Sequence, residues 1–264
     1  MERQNRNIIL ETKQLAIGYK ARTGATSIAS GISIKLEKGQ LIGLVGANGI
    51  GKSTLLRTLI KVQPPLEGEI LLNGHSLSDL SAAALAQQLS IVLTEQLISK
   101  NLSVYDLVAL GRYPYTDWIG TLQPNDRAII DNAIEMVRIS DLRHRKCYEL
   151  SDGQLQKVMI ARALAQDTDI IILDEPTTHL DMYHKAYILK LLQRLTKETN
   201  KTILFSSHEI DLAIQLCDEM VVMRKTDVVQ DQPCNLISKQ IFDSLFPPDL
   251  ISFDSRTGSF KVSK

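Results

Sequence analysis

Apolar and polar residues alternate over residues 10–19 and again over 32–36, the period of half-buried strands, and Glu37-Lys38-Gly39 then turns the chain into the apolar run Leu41–Val45. Glu67–Leu72, closed by Asn73-Gly74, reads as a further strand with a hairpin turn behind it. Together these segments predict a small antiparallel sheet. From about Ala82 to Ala165 the period changes: Ile130, Ala133, Ile134 and Val137 recur at helical spacing after Pro124 and Asp126. Ile170–Leu173 and Thr202–Phe205 are short, continuous apolar runs, as strands covered on both faces are. Between them Ala186, Leu189, Leu192 and Leu195 mark one face of a helix. Strand, helix, strand with so short a crossover predicts an α/β sheet, into which the helical block is inserted. Ile251–Val262, with Thr257-Gly258 midway, has the form of a terminal hairpin.

Bulk properties narrow the class. The 264 residues can bury a large core in one large or two small domains. Lysine plus arginine number 30, as do the acids, so the balance gives no sign of a polyanion partner. No run of 18 apolar residues and no basic-then-apolar leader occurs, so the chain is expected neither to span a membrane nor to be secreted. Cys147, Cys217 and Cys234 are odd in number, widely spaced and without a C-x-x-C, which predicts free thiols in a reducing compartment and no cysteine metal site.

The first candidate chemistry follows the apolar run Leu41–Val45. Gly46-Ala47-Asn48-Gly49-Ile50-Gly51-Lys52-Ser53-Thr54 is a complete G-x-x-x-x-G-K-[ST] loop. Glycines let successive N–H groups curl round a polyphosphate, Lys52 supplies a point charge to the β/γ-phosphates, and Ser53 a hydroxyl for Mg²⁺. Leu55–Ile60 reads as the start of a helix whose N-terminus faces the anion. A glycine-rich turn alone would give similar letters; the strand before it and the helix after it favour the phosphate reading.

Two further segments carry polar groups at element ends. Ile170–Leu173 runs into Asp174-Glu175, which places two carboxylates at the edge of a sheet where ligands of α/β folds bind. Neighbouring residues point opposite ways, so Asp174 can hold Mg²⁺ while Glu175 orients or deprotonates a water in line with a γ-phosphorus. Ser151-Asp152-Gly153-Gln154 opens a helix over Leu155–Ala165, with Ser151 and Gln154 spaced as a capping box; such an end is also an anion site.

Gly46–Thr54, Ser151–Gln154 with Gln156 and Ile160-Ala161-Arg162-Ala163, Ile170–Asp181 and His208, in that order, resemble an ATP-binding-cassette (ABC) ATPase over about residues 8–245. Gly111-Arg112-Tyr113-Pro114 and Thr178-His179-Leu180-Asp181-x-x-His184 bring the likeness nearest to the ATPase subunits of importers for iron-siderophores, haem and cobalamin. The resemblance implies an α/β P-loop core over 8–88 and 166–245, with an antiparallel β subdomain, a helical subdomain over about 89–165 and an extension over 246–264. It implies ATP and Mg²⁺ as cofactors and a head-to-tail homodimer with two ATP molecules between subunits. Polytopic permease subunits and, indirectly, a periplasmic or lipoprotein substrate-binding protein would be partners, with no nucleic acid. The chain would then sit peripherally on the cytoplasmic face of the inner (plasma) membrane.

By the same likeness Tyr19 would stack on adenine, and Ser151, Gly153 and Gln154 would reach the γ-phosphate bound by the other subunit. Asp181 would lie at the dimer interface, His208 would hold the γ-phosphate and the attacking water, and Glu175, His208 and Lys52 would form the catalytic set. His179 and His184 read as helix-surface residues. Two positions depart from the family. Asp152 stands where glycine is usual, and the lid glutamine is Gln96 by identity but Thr94 by its spacing to Val104, with Glu95 between them. Gln96 is taken as the third metal-sensing residue beside Ser53 and Asp174. Tyr105, Tyr113, Tyr115 and Trp118 gather in the helical block, either as its core or as a face towards a membrane subunit. The competing readings are a soluble single-cassette ATPase not coupled to transport, and a cassette that binds ATP without hydrolysing it. Zero net charge and a single cassette disfavour the first, and intact Lys52, Glu175 and His208 the second.

Overall fold

Leu41–Gly46 lies inside a six-stranded sheet, hydrogen-bonded on one side to Glu219–Met223 and on the other to Thr202–Ser206. The computed structural model describes residues 7–21, 24–93, 101–247 and 249–262. Beyond Thr202–Ser206 the sheet continues through Ile170–Leu173 to Leu89–Val92, all parallel, and Val228–Asp231 closes the other edge antiparallel. Every residue of Leu41–Gly46, Ile170–Leu173 and Thr202–Ser206 is buried, which explains their unbroken apolar character. The covering differs by face. Ile42, Leu44, Ile170, Ile172 and Leu204 pack with the antiparallel sheet and the first helix, whereas Leu41, Val45, Ile171, Leu173, Ile203 and Phe205 pack with the later helices.

The antiparallel sheet has five strands: Ile8–Ala21 pairs with Gly24–Ile32, Lys35–Glu37 and Glu67–Leu72, and the last of these pairs with His75–Ser76 through the Asn73-Gly74 turn. Over residues 32–36 burial alternates residue by residue, as the sequence pattern predicts. Gly24–Ile32, largely exposed, carries no such alternation and went unpredicted.

Leu89–Val92 is a strand of the core sheet, so the helical segment starts beyond it rather than at residue 89. Its helices, Val104–Ala109, Pro124–Met136 and Asp152–Ala165, bury Val104, Leu107, Val108, Ile130, Ala133, Ile134 and Val158 together. Gly111 approaches the third helix so closely that a Cβ would lie 2.2 Å from the Arg162 carbonyl oxygen. The Arg112 Nε then reaches Asp126 Oδ1 at 2.9 Å and its NH1 the Ala165 oxygen at 2.9 Å, all out of solvent. Of the four aromatics here, Tyr113 is 71% and Trp118 94% exposed, while Tyr105 and Tyr115 lie under the guanidinium groups of Arg143 and Arg112. Tyr113, Tyr115 and Trp118 lie on the surface of the helical segment, whereas Tyr105 is partly buried against its core.

Ile251–Asp254 and Ser259–Val262 form the expected hairpin, with Gly258 in the left-handed region at φ 64°. Phe253 and Phe260 of the hairpin meet edge-on and pack against Phe242 and Phe246. Among the described residues no helix is long and apolar enough to cross a membrane, and Cys147, Cys217 and Cys234 are free thiols.

Candidate phosphate-binding site

The loop between Leu41–Gly46 and the helix Lys52–Leu59 takes its shape from glycine. Gly51 has φ 111°, a value closed to side chains, and a Cβ there would meet the Ile28 Cγ2 at 2.5 Å. The helix begins at Lys52, three residues earlier than the pattern from Leu55 suggests. Its lysine is buried, with Nζ 3.0 Å from the Gly46 oxygen, 3.3 Å from the Ala47 oxygen and 3.5 Å from His208 Nδ1. Burial pushes the ammonium pKa below its usual value, and the nearby charges of Glu175 and Asp174 offset part of that shift.

The two acids leave the strand Ile170–Leu173 in different directions. Asp174 is buried, and its Oδ1 accepts from Ser53 Oγ at 3.2 Å and from Ser206 Oγ at 2.6 Å. Glu175 has φ 49°, a left-handed backbone that a non-glycine residue holds only when its surroundings impose it. Its N–H donates to Ser206 Oγ at 2.8 Å and its Oε2 accepts from Thr178 Oγ1 at 3.1 Å. Oε1 meets His208 Nε2, on the exposed ring that follows the strand Thr202–Ser206. Lysine, glutamate and histidine thus meet around one space.

That space is a cavity of about 490 Å³ walled by Tyr19, Ile28, Asn48, Gly49 and residues 51–54 together with Glu175 and His208. Tyr19 is half-exposed at its mouth, its hydroxyl 3.2 Å from Thr54 Oγ1. Ile50 N–H closes the loop onto the Ala47 oxygen at 3.3 Å. A hydroxyl and a carboxylate, both hard oxygen donors, are a donor set suited to Mg²⁺, which takes one or two protein oxygens and fills its octahedron from phosphate and water. Gln96, with Thr94 and Glu95, lies outside the described residues.

Ser151, Gly153, Gln154 and Asp181 do not line this cavity. Ser151 caps the helix Asp152–Ala165 reciprocally: Gln154 N–H reaches its Oγ at 3.4 Å, and its own N–H donates to Gln154 Oε1 at 3.0 Å. Ser151 and Asp152 are exposed and Gly153 is buried. Asp181 is exposed and caps the helix Met182–Thr199, with Oδ1 2.8 Å from the His184 N–H. That N–H holds its carboxyl below the usual carboxylate range. His179 sits in the preceding turn at φ 66°, not on a helix.

Sequence reasoning passes over Ser206 and Ile28, and gives Thr178 and His184 no role at the site beyond a family marker and a helix surface. For Ser206 a signal existed, a hydroxyl interrupting the apolar run Ile203-Leu204-Phe205 at the sheet edge where the acids emerge. Ile28 had none, because its strand was unpredicted.

A layered sheet ending in a phosphate loop, two acids and a histidine defines a P-loop nucleotide hydrolase with an inserted helical segment. The ABC transporter family model matches residues 29–178. The chain is 36% identical over 250 residues to the iron(3+)-hydroxamate import ATP-binding protein FhuC of Bacillus subtilis, covering 94% of this chain and 91% of that one. It is 36% identical over 241 residues to the achromobactin transport ATP-binding protein CbrD of Dickeya dadantii, covering 91% and 88%. Among solved structures, cbiO1 of Clostridium perfringens, part of the ABC transporter complex cbiONQ, superposes with TM-score 0.77 at 31% identity, covering 89% of this chain and 92% of that one. The chain belongs to the ABC transporter ATP-binding family. It has the ABC ATPase fold and is a nucleotide-binding ATPase of the kind that powers transport.

Proposed function

We propose that this ATPase drives uptake of a metal chelate, an iron-siderophore in the first instance with haem and cobalamin as the alternatives, working as a head-to-tail pair with two ATP molecules held between subunits. The observation that carries the pairing is the division of the site: one wall holds Lys52, Glu175 and His208, while the exposed Ser151 cap stands away from that cavity. A second subunit facing the first would bring its Ser151, Gly153 and Gln154 to the γ-phosphate and its Asp181 turn to the joint.

In this reading the loop amides of residues 46–54 cradle the β- and γ-phosphates, Lys52 neutralises them, and Tyr19 stacks on adenine. Mg²⁺ would be held by Ser53 and Asp174 and would neutralise charge that develops on the phosphates. Glu175, fixed by its backbone and by Thr178, takes the proton of the attacking water, and His208 holds that water and the γ-phosphate in line. Closing of the pair on ATP and its reopening after hydrolysis would move the permease. A groove between the helical segment and the core, about 530 Å³ and walled by Leu85, Leu110, Tyr113, Pro114 and Arg162 among others, supports a docking face for a permease helix. The cargo rests on FhuC and CbrD, whose names state hydroxamate and achromobactin transport. A substrate-binding protein would act on the far side of the permease, without touching this chain.

The test is recovery of the tagged full chain from detergent extracts of its native cell. A polytopic partner should co-purify, and deleting the chain should abolish uptake of the radioiron-loaded siderophore. A soluble complex with ribosomes would overturn the transport reading in favour of a free cassette.

A further inference from the structure

Gly153 and Lys157 lie one turn apart on the helix Asp152–Ala165, and both meet the helix Met182–Thr199. A Cβ on Gly153 would stand 2.9 Å from Cδ2 of His184, so the imidazole rests on the glycine backbone. One turn further, the Lys157 ammonium sits 4.2 Å from the centre of the Tyr187 ring, a cation–π contact. Tyr183 completes the cluster, edge-on to His184 at 5.3 Å between centroids and tilted towards Tyr187 at 6.5 Å. The remaining edge of the imidazole is taken by Asp181: Nδ1 is 2.9 Å from Oδ1, the oxygen that also accepts the His184 N–H. A carboxylate only accepts, so Nδ1 carries the proton and donates. One ring therefore touches the serine-capped helix on one side and the Asp181 carboxylate on the other.

We infer that His184 is a positioning residue that ties the Asp181 turn to the N-terminus of the serine-capped helix, so that both move as one body. The inference rests on the pairing reading above, in which these are the two segments that a subunit presents to its neighbour's nucleotide. His184 reaches no phosphate itself; it acts through Gly153 and Asp181. Removing the ring leaves the Asp181 carboxylate with only backbone N–H groups to hold it and opens a gap beside Gly153. The same contact gives Gly153 a reason to be glycine: a methyl group there would collide with the imidazole. Asparagine at 184 can place an N–H where Nδ1 stands, and alanine cannot, so the pair separates a hydrogen bond from mere bulk.

The experiment uses the full chain carrying Glu175→Gln and measures the protein concentration at which ATP drives dimer formation in the analytical ultracentrifuge. Adding His184→Ala should raise that concentration about tenfold, and His184→Asn should return it to within about threefold. Calorimetric ATP affinity of the monomer and the melting midpoint should stay near those of the Glu175→Gln chain, which separates lost positioning from lost folding. Unchanged dimer formation with His184→Ala, or an asparagine variant that folds and is as weak as alanine, overturns the inference. Should the alanine variant not fold, the asparagine variant is decisive by itself, since tenfold weakening there rejects the proposed hydrogen bond and near-parent dimer formation supports it. A Glu175→Gln chain that stays monomeric with ATP is a different result, and removes the pairing reading beneath it.

Discussion

Ser206 Oγ donates to Oδ1 of Asp174 across 2.6 Å, and the same hydroxyl accepts the Glu175 N–H at 2.8 Å. One buried serine thus fixes the direction of the carboxylate that faces Ser53 and the backbone of the residue beside it. Ser206→Ala leaves the Glu175 N–H without this acceptor and removes one of the hydroxyls that orient the Asp174 carboxylate. Turnover should fall roughly tenfold or more, as losses of orienting partners around such sites do. ATPase assays with magnesium titration should show the loss in kcat and in the magnesium requirement. Parent values for both would mean that Ser206 only fills space.

Glu175→Gln keeps the shape of the side chain and its acceptor for Thr178 but removes the basic oxygen near His208. Hydrolysis should drop by about 10²–10⁴-fold, while ATP binding persists and the paired form accumulates. Steady-state turnover and sedimentation read the two effects separately. Hydrolysis at the parent rate would refute the base assignment.

Lys52→Ala removes a charge-assisted contact of about 1.5–3 kcal/mol, so calorimetry should show ATP affinity weakened by roughly 10–100-fold. The unliganded fold should not suffer. Burial lowers the folded-state pKa of Lys52, so its charged form is disfavoured by folding at neutral pH. The melting midpoint of the unliganded variant should hold or rise.

The buried pair Arg112–Asp126 locks the Gly111-Arg112 segment to the helix Pro124–Met136. Desolvation pushes the Asp126 pKa up, but the Gln123 N–H and the Arg112 guanidinium outweigh it and hold the carboxyl below its ordinary 3.8. A depressed carboxylate contributes stability that is complete above the unfolded value and lost as pH falls through the lower folded one. Asp126→Asn leaves Arg112 buried without its counter-charge and should cost about 3 kcal/mol, or roughly 6–12 °C in melting midpoint, at pH 7. Below about pH 4 the parent should lose this advantage and the two melting curves should converge.

Asp152 is exposed at the first position of its helix, where a negative charge contributes about 0.3–1 kcal/mol to the dipole. Asp152→Gly should leave ATPase activity within about threefold and lower the melting midpoint slightly. A collapse of activity would assign the carboxylate a task of its own.

Where a fixed spacing along the chain sets the local geometry, the letters place the residues. The phosphate loop, the acids after Ile170–Leu173 and the Ser151–Gln154 box each depend on neighbours in the chain, and the structure has Glu175 and His208 in contact. The buried strands were legible because both faces are covered. What stayed hidden depends on partners remote in sequence. Ser206 gains its meaning only when Thr202–Ser206 lies beside Ile170–Leu173, and Ile28 reaches Gly51 only through a strand whose exposed residues lack alternation. Gly111-Arg112 was read as a family marker; its physical basis is a backbone approach and a buried ion pair that no local pattern encodes. His184 does lie on a helix surface, its side chain 45% exposed, but helical spacing says nothing of the glycine opposite it.

The exposure of Trp118 makes the molecule its own optical reporter. It is the sole indole in the chain and is 94% open to water, so tryptophan emission comes from one known corner of the helical segment. Anything that covers that corner shifts the emission towards the blue, without a label and without a substitution.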